Sequence, residues 1–278
     1  MRKGFESSKM EITGGRVGHT ILGWLVTFLL LFVILIFVWS FWGVSAFFKP
    51  WWVDNVLTSW NENDQVVALW LVVWVILGMM VPAALLYLSG LKLTDVGMRM
   101  PNTLGWRMII LGIVVSIPFG ILLLNSKNYD TGQNPLSPEY MMTLLSMIPE
   151  HFLVTGVCTA LMLPGRRLPS DVSFEPVEGN FIEKGLRWFG LAQISANAGS
   201  NRILDWFGLT WVALFAIVAS GAVFRMIHLG KDDLELMLSF PGGVAIAYMT
   251  IRSHSVWPSV VSHWSLNLIP LGIFLLFK

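Results

Sequence analysis

The chain has 278 residues, of which 55% are hydrophobic and only 13% charged, about half the charged share of an ordinary soluble domain. That composition points to a membrane protein. A formal net charge of +1 leaves no global basic field for nucleic acid, and the single cysteine, Cys158, excludes an intrachain disulfide framework and a Cys-rich metal site.

The first apolar run, Ile21 to Trp42, follows Arg2, Lys3, Lys9 and Arg16. It is longer than a signal-peptide core and reads as a retained anchor helix. Further runs at Val66–Leu88, Met108–Leu124, Tyr140–Leu163, Leu209–Leu229, Leu236–Ile251 and Val256–Phe277 bring the expected spans to seven. Most reach the roughly 20 apolar residues that cross a bilayer core. The third and sixth are short, and Pro241-Gly242-Gly243 weakens the sixth further. Helices are the expected form, because lipid offers no partner to an open strand edge.

Lysine and arginine set the orientation. Segments that would face inside hold thirteen of them and segments that would face outside hold four, namely Lys49, Lys127, Lys231 and Lys278. The N-terminus is therefore expected in the cytoplasm. One long connection, 164–207, carries "FIEKGLRWFGLAQI", whose apolar spacing fits an amphipathic helix on the inner membrane surface. No internal repeat is visible. The expected organisation is a two-helix membrane scaffold over 1–89 and a second membrane unit over 90–278.

Ionisable groups inside membrane spans are functional candidates, because each costs insertion energy. The fourth span holds Glu150 and His151, the fifth "VFRMIHLG" with Arg225 and His228, and the seventh "VVSHWSLNLIP" with His263 and Asn267. The first three spans hold none, so the polar core is expected in the C-terminal half. His263 and Asn267 are four apart and share a helical face. Glu150 and His151 are about 100° apart around the axis, so only one is expected to face the bundle centre, and Glu150 is chosen. A single intramembrane histidine is often just a bond between helices. A glutamate, two histidines and an asparagine on three helices of one half favour a site.

Such a group suits hydrolysis. A carboxylate among apolar walls can serve as the base that takes a proton from water. A histidine can hold the water or serve the leaving amine, and the Asn267 amide can stabilise an oxyanion. No convincing nucleophile accompanies them, since Ser262 lies on a different face from His263. "KDDLE" at 231–235 reads as an exposed turn whose carboxylates could rim an entrance. His19 and His254 read as surface residues.

The three segments resemble the CAAX protease and bacteriocin-processing family, also called the ABI family, of intramembrane glutamate-type proteases. Its motifs are EExxxRG, FxxxH and HxxxN. This chain has "EHFLVTG" at 150–156, "FRMIH" at 224–228 and "RSHSVWPSVVSHWSLN" at 252–267, in the same order. "LTDVGMR" at 93–99 looks like the family's lead-in. The resemblance implies an all-α integral membrane protein with a CAAX-protease-like domain over 90–278. It implies endoproteolysis of a membrane-associated peptide or protein. The short loops and low soluble mass point to a prokaryotic cytoplasmic membrane. The resemblance carries the water-activating role to Glu150, the catalytic histidines to His228 and His263, and the oxyanion role to Asn267. His151, Arg225 and Phe224 are supporting positions. No cofactor is expected; a metal-dependent version would use Glu150, His228 and His263 as ligands.

Two residues depart from the pattern. His151 stands for the second glutamate and Thr155 for the arginine. Arg225 is a candidate to supply the cation that position 155 lacks; otherwise it snorkels to the surface. The alternatives are an inactive relative acting as a membrane binding or immunity protein, and a transporter with a Glu/His relay.

Overall fold

The computed structural model describes residues 47–56, 58–88, 90–124, 138–163, 168, 180–189, 207, 209–229, 231 and 233–277. The expected span Ile21–Trp42, the basic N-terminus, His19, Lys127 and most of the 164–207 connection lie outside the described residues.

Regular structure among the described residues is helical throughout. The helix α1 (Glu62–Val73) runs through a π-helical stretch, π1 (Trp74–Met80), into α2 (Val81–Leu88). Asn61 starts α1 by accepting the Asp64 backbone N–H at 2.9 Å, which satisfies one of the unpaired donors of a first turn. A 3-10 turn (Leu93–Val96) leads to α3 (Thr103–Leu124). Next come α4 (Pro138–His151), π2 (Phe152–Cys158) and α5 (Thr159–Met162), which form one rod. The short α6 (Phe181–Trp188) precedes α7 (Trp211–Ile227), α8 (Asp233–Ser253) and α9 (Trp257–Phe277). Helices thus occupy six of the seven expected spans.

Three of these rods are long and apolar enough to cross a membrane: Asp64–Leu88, Tyr140–Met162 and Asp233–Ser253. Thr103–Pro118 and Trp211–Ile227 are shorter apolar helices. The expected weakness of the sixth span is corrected: α8 continues through Pro241 for 21 residues. Proline is tolerated in such helices because neighbouring groups take up the freed carbonyl.

The rod α4–π2–α5 is central. It touches α1, π1, α7, α8 and α9, and every residue from Pro149 to Leu163 is buried. Phe152, Leu153 and Val157 share one apolar core with Leu86, Ile217 and Ile251. Outside this centre, α9 lies along α3 and α8 along α7. Apolar side chains of α3 such as Ile110, Val114 and Ile117 point outward, as a lipid-facing surface requires. The helix α6 also turns Phe181 and Ile182 outward, while its Trp188 ring lies 5.0 Å from the Arg107 guanidinium at the start of α3.

The lead-in at 93–99 clamps the turn between α8 and α9. Val256 N–H donates to the Gly97 carbonyl at 3.0 Å, Arg99 Nε to the His254 carbonyl at 2.7 Å, and Ser255 Oγ to the Arg99 carbonyl at 2.7 Å. Gly97 has φ +91°, a conformation costly for any side chain. Gly156 is fixed by the same clamp: a Cβ there would lie 2.6 Å from the Val96 carbonyl oxygen.

The contact between α7 and α8 also depends on small residues. A Cβ on Gly243 would stand 2.7 Å from Cβ of Phe224 and 2.9 Å from Cα of Gly221, whereas one on Gly242 would meet nothing within 4 Å. Gly243→Ala is therefore expected to cost about 1–3 kcal/mol through overpacking. Gly242→Ala should be neutral or stabilising by up to about 1 kcal/mol. Thermal melts of both variants in one detergent check this, and equal melts would reject the close approach.

Candidate active site

Glu150 and His151 end α4, immediately before the helix widens into π2. Pro149 cannot donate to the carbonyl one turn back, so the rod is already irregular here. Trp264 of α9 reaches across and donates its indole N–H to the Leu144 carbonyl at 2.7 Å. That bond ties α9 to α4 nearly two turns before the site.

His151 is fully buried. Its Nε2 lies 2.9 Å from Nδ1 of His263, with the rings edge to face at 5.1 Å. Glu150 is buried as well, and its Oε1 meets no hydrogen-bond partner among the described residues. A Glu150 oxygen and ring nitrogens of His151 and His263 all lie within 4.8 Å of one another. Both neighbours therefore reach the cluster, which corrects the expectation that only Glu150 would. The 100° argument assumed a helix with one inward side. This rod is enclosed all round, so both directions lead into protein.

Phe224 forms the wall between the histidines. Its ring lies 4.4 Å from His228, 5.8 Å from His263 and 6.0 Å from His151. His228 follows the last residue of α7 as its C-cap. Its Nδ1 lies 2.8 Å from the Phe224 carbonyl, and its Nε2 lies 3.6 Å from Oε1 of Glu235. Both ring nitrogens thus face groups other than Glu150 and His263, although the His228 and His263 rings are 6.5 Å apart. Glu235 is half-exposed and lies 3.6 Å from Lys231. The "KDDLE" segment contributes this residue, and its spacing to His228 could not be read from the chain.

Asn267 sits one turn beyond His263 and spends one amide N–H on the His263 carbonyl at 3.0 Å. Arg225 is exposed and lies outside the cluster. Ser262 donates to the Pro258 carbonyl at 2.7 Å, and Cys158 is buried in the apolar core. His254, expected at the surface, is buried instead, in the turn that Arg99 clamps.

Among the described residues, the one group able to offer three metal donors is Glu150, His151 and His263. His228, named above as a ligand, is not in it. A carboxylate and two imidazoles suit a zinc-like ion. Yet the His151 and His263 nitrogens already bond to each other at 2.9 Å, and an ion there would have to replace that bond.

The two departures from the motif sit together. Thr155 is fully buried, donates to the His151 carbonyl at 2.8 Å and lies 3.3 Å from Ser259 Oγ. Ser259 in turn accepts from Thr250 Oγ1 at 3.3 Å. A glutamate and an arginine at these positions would be an opposite-charge pair four residues apart; here the pair is neutral. Thr155→Arg alone is expected to cost more than about 3 kcal/mol, as an uncompensated buried charge. Adding His151→Glu should recover about 2 kcal/mol or more of it. A double-mutant cycle on melting checks this, and additive losses would reject the pairing.

Residues 140–269, just under half of the chain, match the family model described as type II CAAX prenyl endopeptidase Rce1-like. Neither the curated proteins nor the solved structures give a match to the chain. The matched stretch contains Glu150, His151, His228, His263 and Asn267, and over it the chain is similar to CAAX-protease-type endopeptidases.

Proposed function

We propose that the chain is an integral membrane endopeptidase with seven transmembrane helices and a cytoplasmic N-terminus, hydrolysing a membrane-associated peptide or protein. The observation that carries this reading is the buried Glu150 carboxylate. It has an oxygen without a partner among the described residues and stands beside two imidazoles in the family-matched segment.

In the proposed reaction Glu150 takes a proton from water, and the water oxygen attacks the scissile carbonyl carbon. The C–N bond of the tetrahedral intermediate then breaks, and Glu150 returns the proton to the leaving amine. His263 and the remaining Asn267 amide N–H stabilise the oxyanion. His228, backed by Glu235, stands at the rim, where an extended substrate would enter. No protein nucleophile is needed.

Glu150→Gln keeps the shape and removes the base, so cleavage should fall by about 10²–10⁴-fold. The measurement compares new protein N-termini in membranes carrying the native chain or the variant at matched levels. Termini that persist unchanged would remove Glu150 from the chemistry. Arg225→Ala, an exposed change, should leave those termini in place. A loss as complete as with Glu150→Gln would instead give Arg225 the role of the motif arginine.

A second reading is favoured by His151 and Thr155, which replace two motif residues: a relative that binds a membrane peptide without cutting it. Its signature is a phenotype that survives Glu150→Gln.

A further inference from the structure

Position 151 departs from the family motif, yet its side chain makes the one direct bond between histidines of the site. The bond of 2.9 Å between His151 Nε2 and His263 Nδ1 holds a single proton, and two arrangements satisfy it. In the first, His151 carries the proton on Nε2 and donates. His263 then has a bare Nδ1 and an N–H at Nε2. In the second, His263 donates from Nδ1, its Nε2 is bare, and His151 carries its own proton on Nδ1.

The surroundings separate the two. His151 Nδ1 is buried and meets no partner among the described residues. The second arrangement would place an N–H there without an acceptor, the rarer fault in folded proteins. The first leaves only a lone pair unpaired.

We propose that His151 is a positioning residue. Its Nε2–H donates to Nδ1 of His263 and so holds His263 with an N–H on Nε2, as donor to the oxyanion of the scissile peptide. This rests on the hydrolytic reading above. His263 is only partly buried, so it can meet substrate, while His151, fully buried, acts through it. His228 does not compete for this role, because its nitrogens face the Phe224 carbonyl and Glu235. A glutamate at 151 would accept instead of donate. It would draw the His263 proton to Nδ1 and turn the substrate-facing nitrogen into an acceptor.

The test uses the full chain in lipid nanodiscs with 15N-labelled histidine. There are five histidines, and His263→Gln identifies one set of signals by its loss. Long-range 1H–15N correlations then report which nitrogen of His263 carries the proton. The expected result is Nε2–H in the native chain, kept in His151→Gln, whose amide N–H can stand in for the lost donor, and switched to Nδ1–H in His151→Glu. The termini that depend on Glu150 should persist in His151→Gln and fall by about 100-fold in His151→Glu. A native His263 protonated on Nδ1 overturns the proposal without any variant. So does a His151→Glu protein that folds and keeps the proton on Nε2. The expected tautomers without any Glu150-dependent termini would sink the hydrolytic reading and the role assigned to the donor, leaving only the histidine bond. Termini that persist undiminished in a switched His151→Glu protein would sink the positioning role alone.

Discussion

One constraint organises the molecule: a helix carrying Glu150, His151, Thr155 and Thr159 is buried along every side from Pro149 to Leu163. Inside such a bundle each polar group must find its partner on its own backbone or on a neighbouring helix, at a net cost of a few kcal/mol where it fails. The partners define the assembly. His151 meets His263 on α9, Thr155 meets Ser259 on α9, and Thr159 meets Ser220 on α7 at 2.7 Å. Apolar packing alone would let these helices slide or rotate. The polar contacts fix their register, and the site is the place where the fixing is left incomplete, at Oε1 of Glu150.

Close backbone approach is the second half of the same device. Gly156 admits the Val96 carbonyl, Gly97 admits Val256 and Leu168, and Gly243 admits Phe224. Phe224 in turn separates His228 from His151. The glycines therefore set how near the walls of the site stand to one another. The motif glycine at 156 and the lead-in at 93–99, far apart in sequence, are two sides of one contact. Position 97 tolerates its left-handed backbone because nothing but glycine adopts it cheaply.

Much of this was legible in the chain, for physical reasons. Apolar run length placed the described helices, because only a rod of about 20 such residues spans a bilayer core. The glutamate, the histidines and Asn267 stood out because charge and amide groups are costly there. What failed was the treatment of direction. The expectation for His151 assigned an inside and an outside to a helix that has only neighbours. The expectation for α8 counted Pro241 and two glycines as weaknesses, whereas Gly243 is what brings α7 and α8 together. The Glu235–His228 pair escaped because the turn between α7 and α8 separates them, and a turn between helices carries no fixed angular relation. The histidine-to-histidine bond escaped because its ends are 112 residues apart.

The residues at 151 and 155 bear on the proposed chemistry, because they differ from the glutamate and arginine of the motif that the segment resembles. Losing only one member of a buried Glu/Arg pair would strand a charge, and removing a buried partner typically costs about 3–5 kcal/mol. Here both positions are neutral and both are bonded: His151 to His263, and Thr155 to the His151 carbonyl. The replacement of the pair thus leaves position 155 satisfied and gives position 151 a direct partner in the cluster. Glu150 is the costliest of these groups to bury, and it stands beside that bond with an oxygen that meets no partner among the described residues. The proposed hydrolysis is the reading in which that cost serves a purpose.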